Sequence, residues 1–190
     1  MPPTRPPLPS LRGKRVVIDP GHGGKDPGAR GVSRLPEKTI VLLIGNQVSR
    51  LLQHRGATVI NTRKDDRFLE LDARAAYATR NRADLFVSIH ADSAPRKTAS
   101  GATVYTCRGA SANSVAAAWY IRRALTQAGI PCRTGKPSNF RVLVAHPRPA
   151  VLVECGFLTN AGDAALLNTQ AHRSKVAAAI ARGIADYLCR

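Results

Sequence analysis

Apolar and polar positions along the chain follow two alternating rhythms. Val16-Val17-Ile18 is a short β-branched run that breaks at Asp19-Pro20, as a buried strand does. Further on, Ile40, Leu43, Ile44, Val48, Leu51 and Leu52 recur at spacings of three and four, which places them on one face of a helix. Pro36-Glu37 marks its start, because proline suits the first helical position and an acid suits the positive end of the dipole. Gly56 marks its stop, and a strand follows over 57–61. The cycle then repeats, with a helix rich in Ala and Arg over 71–82, a fully apolar strand over 85–89 and another strand over 101–106. A helix over 114–128 ends at Gly129-Ile130-Pro131, and a buried strand runs over 150–153. Val176, Ile180, Ile184 and Leu188 mark a closing helix at four-residue spacing.

Strands alternating with helices predict right-handed crossovers and an α/β fold: a twisted, mostly parallel sheet with helices on both faces. At 190 residues, without internal repeats, the chain reads as a single domain with a full core. Pro2, Pro3, Pro6, Pro7 and Pro9 make residues 1–13 an extended Pro-rich linker, leaving 14–190 as the domain proper. Sites in such folds gather beyond the carboxyl ends of the strands. Three apolar runs here lead straight into chemistry: Ile18 into Asp19 and His22, Ile89 into His90, and Val153 into Glu154.

Composition narrows the function classes. Hydrophobic residues make up 44%, ordinary for a folded protein, and no apolar run approaches the roughly 20 residues that cross a bilayer. A net charge of +17 points to an anionic partner or to an arginine-rich solvated surface. Nucleic acid is a poor candidate for that partner, since aromatic residues are only 5% and no nucleic-acid-binding motif is present. The four cysteines, Cys107, Cys132, Cys155 and Cys189, show no metal-ribbon spacing. A Cys107–Cys132 bridge is conceivable in an oxidising compartment, while Cys155 reads as a buried thiol in an apolar run. The first residues lack the apolar stretch of a signal peptide, so the signal of an exported protein would have been removed or would lie upstream of this chain.

The loop VVIDPGHGGKDPGARG, at 16–31, first suggests a phosphate cradle. It lacks GxGxxG, Gly24-Lys25 is followed by Asp26 instead of Ser or Thr, and its aspartates would repel phosphate. A metal site fits better. Catalytic zinc takes three His or carboxylate ligands, and His22 after the first strand, Glu37 at a helix start and His90 at a strand end supply them. Their spacing is not a compact motif, and on residue chemistry alone hydrogen-bonded structural histidines remain the competing reading.

Taken together, DPGHGGKDPGARG, EK, TR, ADLFVSIHAD and PAVLVECGFLTN resemble the zinc-dependent N-acetylmuramoyl-L-alanine amidases of the amidase-3 type, in order from about Lys14 to Leu188. The resemblance implies zinc ligands at His22, Glu37 and His90, a catalytic glutamate at Glu154, and Zn2+ as the cofactor. It also implies a peptidoglycan substrate, cut between the lactyl group of N-acetylmuramic acid and L-alanine of the stem peptide. A monomer at the periplasmic or extracellular envelope would follow, its charge holding it on anionic wall polymers. The alternative is a non-catalytic wall-binding or regulatory protein on the same fold, but such a protein would be expected to lose a ligand or Glu154.

Other residues invite competing readings. Asp19 either orients a liganding imidazole or forms a turn, and Asp92 reads as a loop cap. Arg63 and Arg74 read as structural partners of carboxylates ahead of substrate contacts, Asn160 as the cap of a turn or of the following helix, and His146 as a loop residue bordering the cleft. His54 reads as a helix-end residue in favourable contact with the dipole, and His172 as solvent-facing. Many relatives carry arginine after the Val-Leu pair, where this chain has Val144. The stretch between His90 and Glu154 is too short for the long regulatory helix that blocks the site in some relatives, which predicts an open cleft.

Overall fold

The computed structural model describes residues 10–190. Most of the expected Pro-rich segment lies outside them, but Leu11 is fully buried and its amide donates to the Arg55 carbonyl, so the packed body takes in residues before position 14. Six strands form one sheet: β1 (Arg15–Pro20), β2 (Thr58–Asn61), β3 (Leu85–Asp92), β4 (Ala102–Tyr105), β5 (Cys132–Thr134) and β6 (Ala150–Phe157). Six helices accompany them: α1 (Glu37–Gln53), α2 (Leu71–Arg80), α3 (Ala112–Gln127), α4 (Arg141–Val144), α5 (Ala161–Leu167) and α6 (Gln170–Leu188).

The strand order is β2-β1-β3-β6-β4-β5, and every ladder is parallel except β4 with β6. The expected mostly parallel α/β sheet is therefore present, with β4 and β5 running against the other four strands. Side chains alternate across it, as strand geometry requires. Val16, Ile18, Val87, Val151 and Val153 face a core shared with α1, α3 and α6, and Val17, Phe86 and Leu152 face a smaller one under α2 and α4.

Two strands overrun their expected ends. β3 continues past His90 to Asp92, and β6 past Glu154 to Phe157, with a register shift between His90 and Asp92. The chemistry thus falls inside the last turns of these strands, while His22 alone follows the end of its strand. The elements that sequence reading omits are short: β5, α4 and α5. Pro36 is the N-cap of α1 and not its first residue, so the helix opens at Glu37, one position later than expected.

Candidate metal centre and catalytic carboxylate

Each side chain of the centre is delivered by a different device. His22 stands in the loop after β1 at φ 58, one of two non-glycine residues with positive φ among the described residues. That conformation costs an L-residue about 1–2 kcal/mol, and the surroundings hold it. Arg74 donates to the His22 carbonyl at 2.5 Å, and the Gly23 and Asp26 backbones close a bridge around it. Glu37 opens α1, and its two oxygens accept from the amides of Ala29 (2.6 Å) and Ala91 (2.9 Å). His90 lies directly beside Glu154 in the β3–β6 register, so both project from the same face of the sheet.

The three donor atoms converge. His22 Nε2 is 3.0 Å from Glu37 Oε1, and His90 Nδ1 is 3.1 Å from both. In a tetrahedral zinc site with bonds near 2.0–2.1 Å, ligand atoms stand about 3.3 Å apart. The donor set and its spacing therefore fit one zinc ion, and these three residues form the only such cluster among the described residues. Electrostatics point the same way. Burial opposes ionisation of Glu37, yet hydrogen bonds and charge from His22 and His90 outweigh it and hold the carboxyl well below its usual range. Burial also pulls the His22 imidazole down, but hydrogen bonds and charge from Glu37 and Asp26 outweigh it and raise it above its ordinary value.

Asp26, not Asp19, orients an imidazole: its Oδ2 is 2.7 Å from His22 Nδ1, while Oδ1 accepts from the Gly28 amide. Carboxylate-to-imidazole support of this kind fixes the tautomer that leaves Nε2 free to ligate. Sequence reading missed it because the spacing of four is helical only in appearance; here it spans a glycine loop. Asp19 is fully buried and accepts from Thr62 Oγ1 (2.6 Å), Ser88 Oγ (2.8 Å) and Arg74 Nη1 (3.0 Å), so its role is structural. Arg74 pairs with that carboxylate as expected. Arg63 does not pair with one; fully buried, it donates to the carbonyls of Pro20, Gly21, Lys38 and Asp65, stapling the β1–α1 loop to the start of α1.

Glu154 is 8% exposed, and its Oε2 has no hydrogen-bond partner among the described residues. Burial first, then the charges of Asp92 and Glu37, raise its carboxyl well above the ordinary range. It lines a cleft of about 390 Å³ together with His22 and His90, walled by Phe68 to Leu71 on one side and by Phe140 to Val142 on the other. A larger hollow of about 660 Å³ lies among α1, α3 and α6, but it has no carboxylate and only His54 as a metal-type donor, so the chemistry belongs to the smaller cleft. Helix α3 packs on α6, and none of its residues lines the cleft.

The remaining expectations resolve simply. Asp92 Oδ1 accepts from the Ser93 amide, and Asn160 caps α5 by accepting from the Asp163 amide. His146 does not border the cleft; it packs against Phe86 with ring centroids 5.0 Å apart. Val144 is exposed at the end of α4. All four cysteines are free thiols, Cys155 fully enclosed.

Comparison with known proteins gives a consistent picture. A family model described as N-acetylmuramoyl-L-alanine amidase matches residues 16–186. The chain is 39% identical over 178 residues to the uncharacterized protein YqiI of Bacillus subtilis, spanning 93% of this chain and 86% of that one. It is 34% identical over 221 residues to the N-acetylmuramoyl-L-alanine amidase AmiA of Escherichia coli, spanning 92% and 76%. Among solved structures, the amidase AmiC2 of Nostoc punctiforme superposes with a TM-score of 0.88 at 39% identity, over 93% of this chain and 98% of that one.

Proposed function

The chain belongs to the N-acetylmuramoyl-L-alanine amidase family, and on that premise we propose that it hydrolyses peptidoglycan in a zinc-dependent manner. The bond cut is the amide joining the lactyl group of N-acetylmuramic acid to L-alanine of the stem peptide. One observation carries the metal assignment: donor atoms of His22, Glu37 and His90 lie within 4.8 Å of one another, beside a buried glutamate with an unpartnered oxygen.

When bound, zinc supplies Lewis acidity, polarising the amide carbonyl and lowering the pKa of water toward about 7. The residues of the chain do the rest. Glu154 accepts a proton from the attacking water and returns it to the departing alanine nitrogen. Its buried, raised carboxyl has the proton affinity to hold that proton between the two transfers. Glu37, whose oxygens are occupied by two amides and two imidazoles, keeps its charge and is unsuited to proton carriage. Two carboxylates thus take separate roles through their surroundings.

Under the same reading the enzyme works as a monomer in the periplasmic or extracellular envelope, where its net charge of +17 holds it on anionic wall material. That retention weakens with salt, because screening falls to about 8 Å at physiological ionic strength. The decisive experiment digests purified peptidoglycan with and without a chelator and weighs the products. Stem peptides with a free L-alanine amino terminus, absent after chelation and restored by zinc, support the reading; shortened glycans or cut cross-links refute it. Glu154→Gln should keep zinc and lose turnover.

A further inference from the structure

We propose that Arg141 is the receptor for the carboxylate of the second stem-peptide residue and sets which peptides are preferred; this rests on the amidase reading above. Asp26, Glu70 and Glu154 are among the residues that line the cleft beside the triad. An anionic peptide entering it needs a compensating cation. Two arginines and no lysine line the cleft. Arg74 is 2% exposed and spent on Asp19 and on the carbonyls of Pro20, His22 and Leu69. Arg141, at the start of α4, is 56% exposed.

Arg141 already shows the recognition geometry. Its Nε donates to Asp72 Oδ1 at 2.5 Å and its Nη2 to Oδ2 at 3.0 Å, a two-pronged grip on a carboxylate. Asp72, at the start of α2, is itself 66% exposed, so the pair spans the gap between α2 and α4 in open solvent. An ion pair in that position is weakly held. A peptide carboxylate offers Arg141 the same two acceptors, and the exchange replaces one carboxylate by another. Asp72 thus occupies the guanidinium of the free enzyme in the manner of the substrate. The nearest carboxylate to the scissile amide is on the second residue, within the roughly 7 Å that two residues of extended chain span. The neighbouring Phe140 is braced edge-on against Tyr105, with centroids 5.4 Å apart, which fixes the start of α4 and gives Arg141 a firm base.

The test uses two soluble muramoyl tripeptides ending in lysine amide, identical except that the second residue carries either an α-carboxylate (D-glutamate) or an α-carboxamide (D-isoglutamine). The zinc-loaded wild-type protein should favour the acid in kcat/KM by about two- to fivefold, the weight of an exposed ion pair. In R141A that ratio should collapse toward one, chiefly through KM for the acid. R141Q, which keeps side-chain length, is read in parallel and should behave alike, with thermal melting showing both variants folded. A structural role alone would depress both substrates equally, so an unchanged ratio in the variants overturns the proposal. A wild-type enzyme that cleaves both substrates without preference overturns it as well. Failure of the wild type to cleave either peptide would instead sink the amidase reading, and the proposal with it.

Discussion

Replacing Gly21 with alanine separates the metal centre from the fold. Gly21 follows β1 directly and has an ordinary backbone conformation, so alanine brings no dihedral strain. Its added Cβ, however, would lie 2.1 Å from His90 Cε1 and 2.4 Å from Nε2, against an ordinary contact of 3.4 Å or more. The ring must retreat by about 1.3 Å or rotate off its rotamer, which costs only about 0.5–1.5 kcal/mol. Ligand distances in a working site tolerate about ±0.2 Å. The same displacement that the fold absorbs therefore removes His90 Nδ1 from its 3.1 Å spacing with His22 and Glu37. Gly21→Ala should melt within a few degrees of the wild type when both are stripped of metal. Its zinc affinity, read by competition with a chromophoric chelator, should fall by about 100-fold or more, the upper range for disturbing a liganding histidine. A variant that binds zinc as the wild type does would refute both the steric argument and the assignment of His90 as a ligand. Gly162→Ala serves as the control, since its added Cβ would meet only Asn160 Oδ1, at 3.3 Å, and no side chain of the centre within 4 Å.

Three further outcomes follow from the same geometry. Asp26→Asn should lower zinc affinity by about 10–100-fold without unfolding the protein, because it weakens the hold on the His22 tautomer; calorimetric titration of the metal-free protein reads this directly. Arg74→Leu should cost about 3–5 kcal/mol in urea unfolding, since it strands the fully buried Asp19 carboxylate with only two hydroxyl donors; a loss below 1 kcal/mol would show that Asp19 needs no counter-charge. His146 gives a pH-dependent term. Burial, aided by Arg148, holds its imidazole below the ordinary 6.5, and the Arg148 amide already donates to Nδ1, where a second proton would go. The depressed value means stability is complete above pH 6.5 and is lost as pH falls from there through the lowered folded value. The melting temperature of the wild type should therefore drop more between pH 7.5 and pH 5 than that of His146→Gln; equal drops would remove His146 as the cause.

Legibility in the sequence depended on how much a residue's role is local. The rhythm of Ile40, Ile44 and Val48 revealed α1, and the apolar run from Leu85 to Ile89 revealed β3, because each element buries its own side chains. The four residues that the amidase resemblance singles out, His22, Glu37, His90 and Glu154, do line or adjoin one centre. Cys132–Thr134 carries no apolar signal; it is an edge strand defined only by its ladder with β4. The reversed direction of β4 and β5 is likewise a property of pairing, invisible in strand-helix alternation. Asp26 and Arg63 escaped for the same reason: one works through a loop bridge and the other through carbonyls brought in from three separate stretches.

The pairing of His90 with Glu154 across β3 and β6 has a bearing on how such a protein can change over generations. One rung of backbone ladder, about 4.8 Å in any sheet, sets the gap between the proposed metal ligand and the proposed proton carrier. That gap is set by paired backbone and is indifferent to loop drift. The cleft walls, by contrast, come from the short α4 and from the residues leading into α2, pieces that lie outside the sheet. Selection can therefore rewrite which wall fragment is accepted while the cutting distance stays inherited, as a lathe keeps its bed when the tool is swapped.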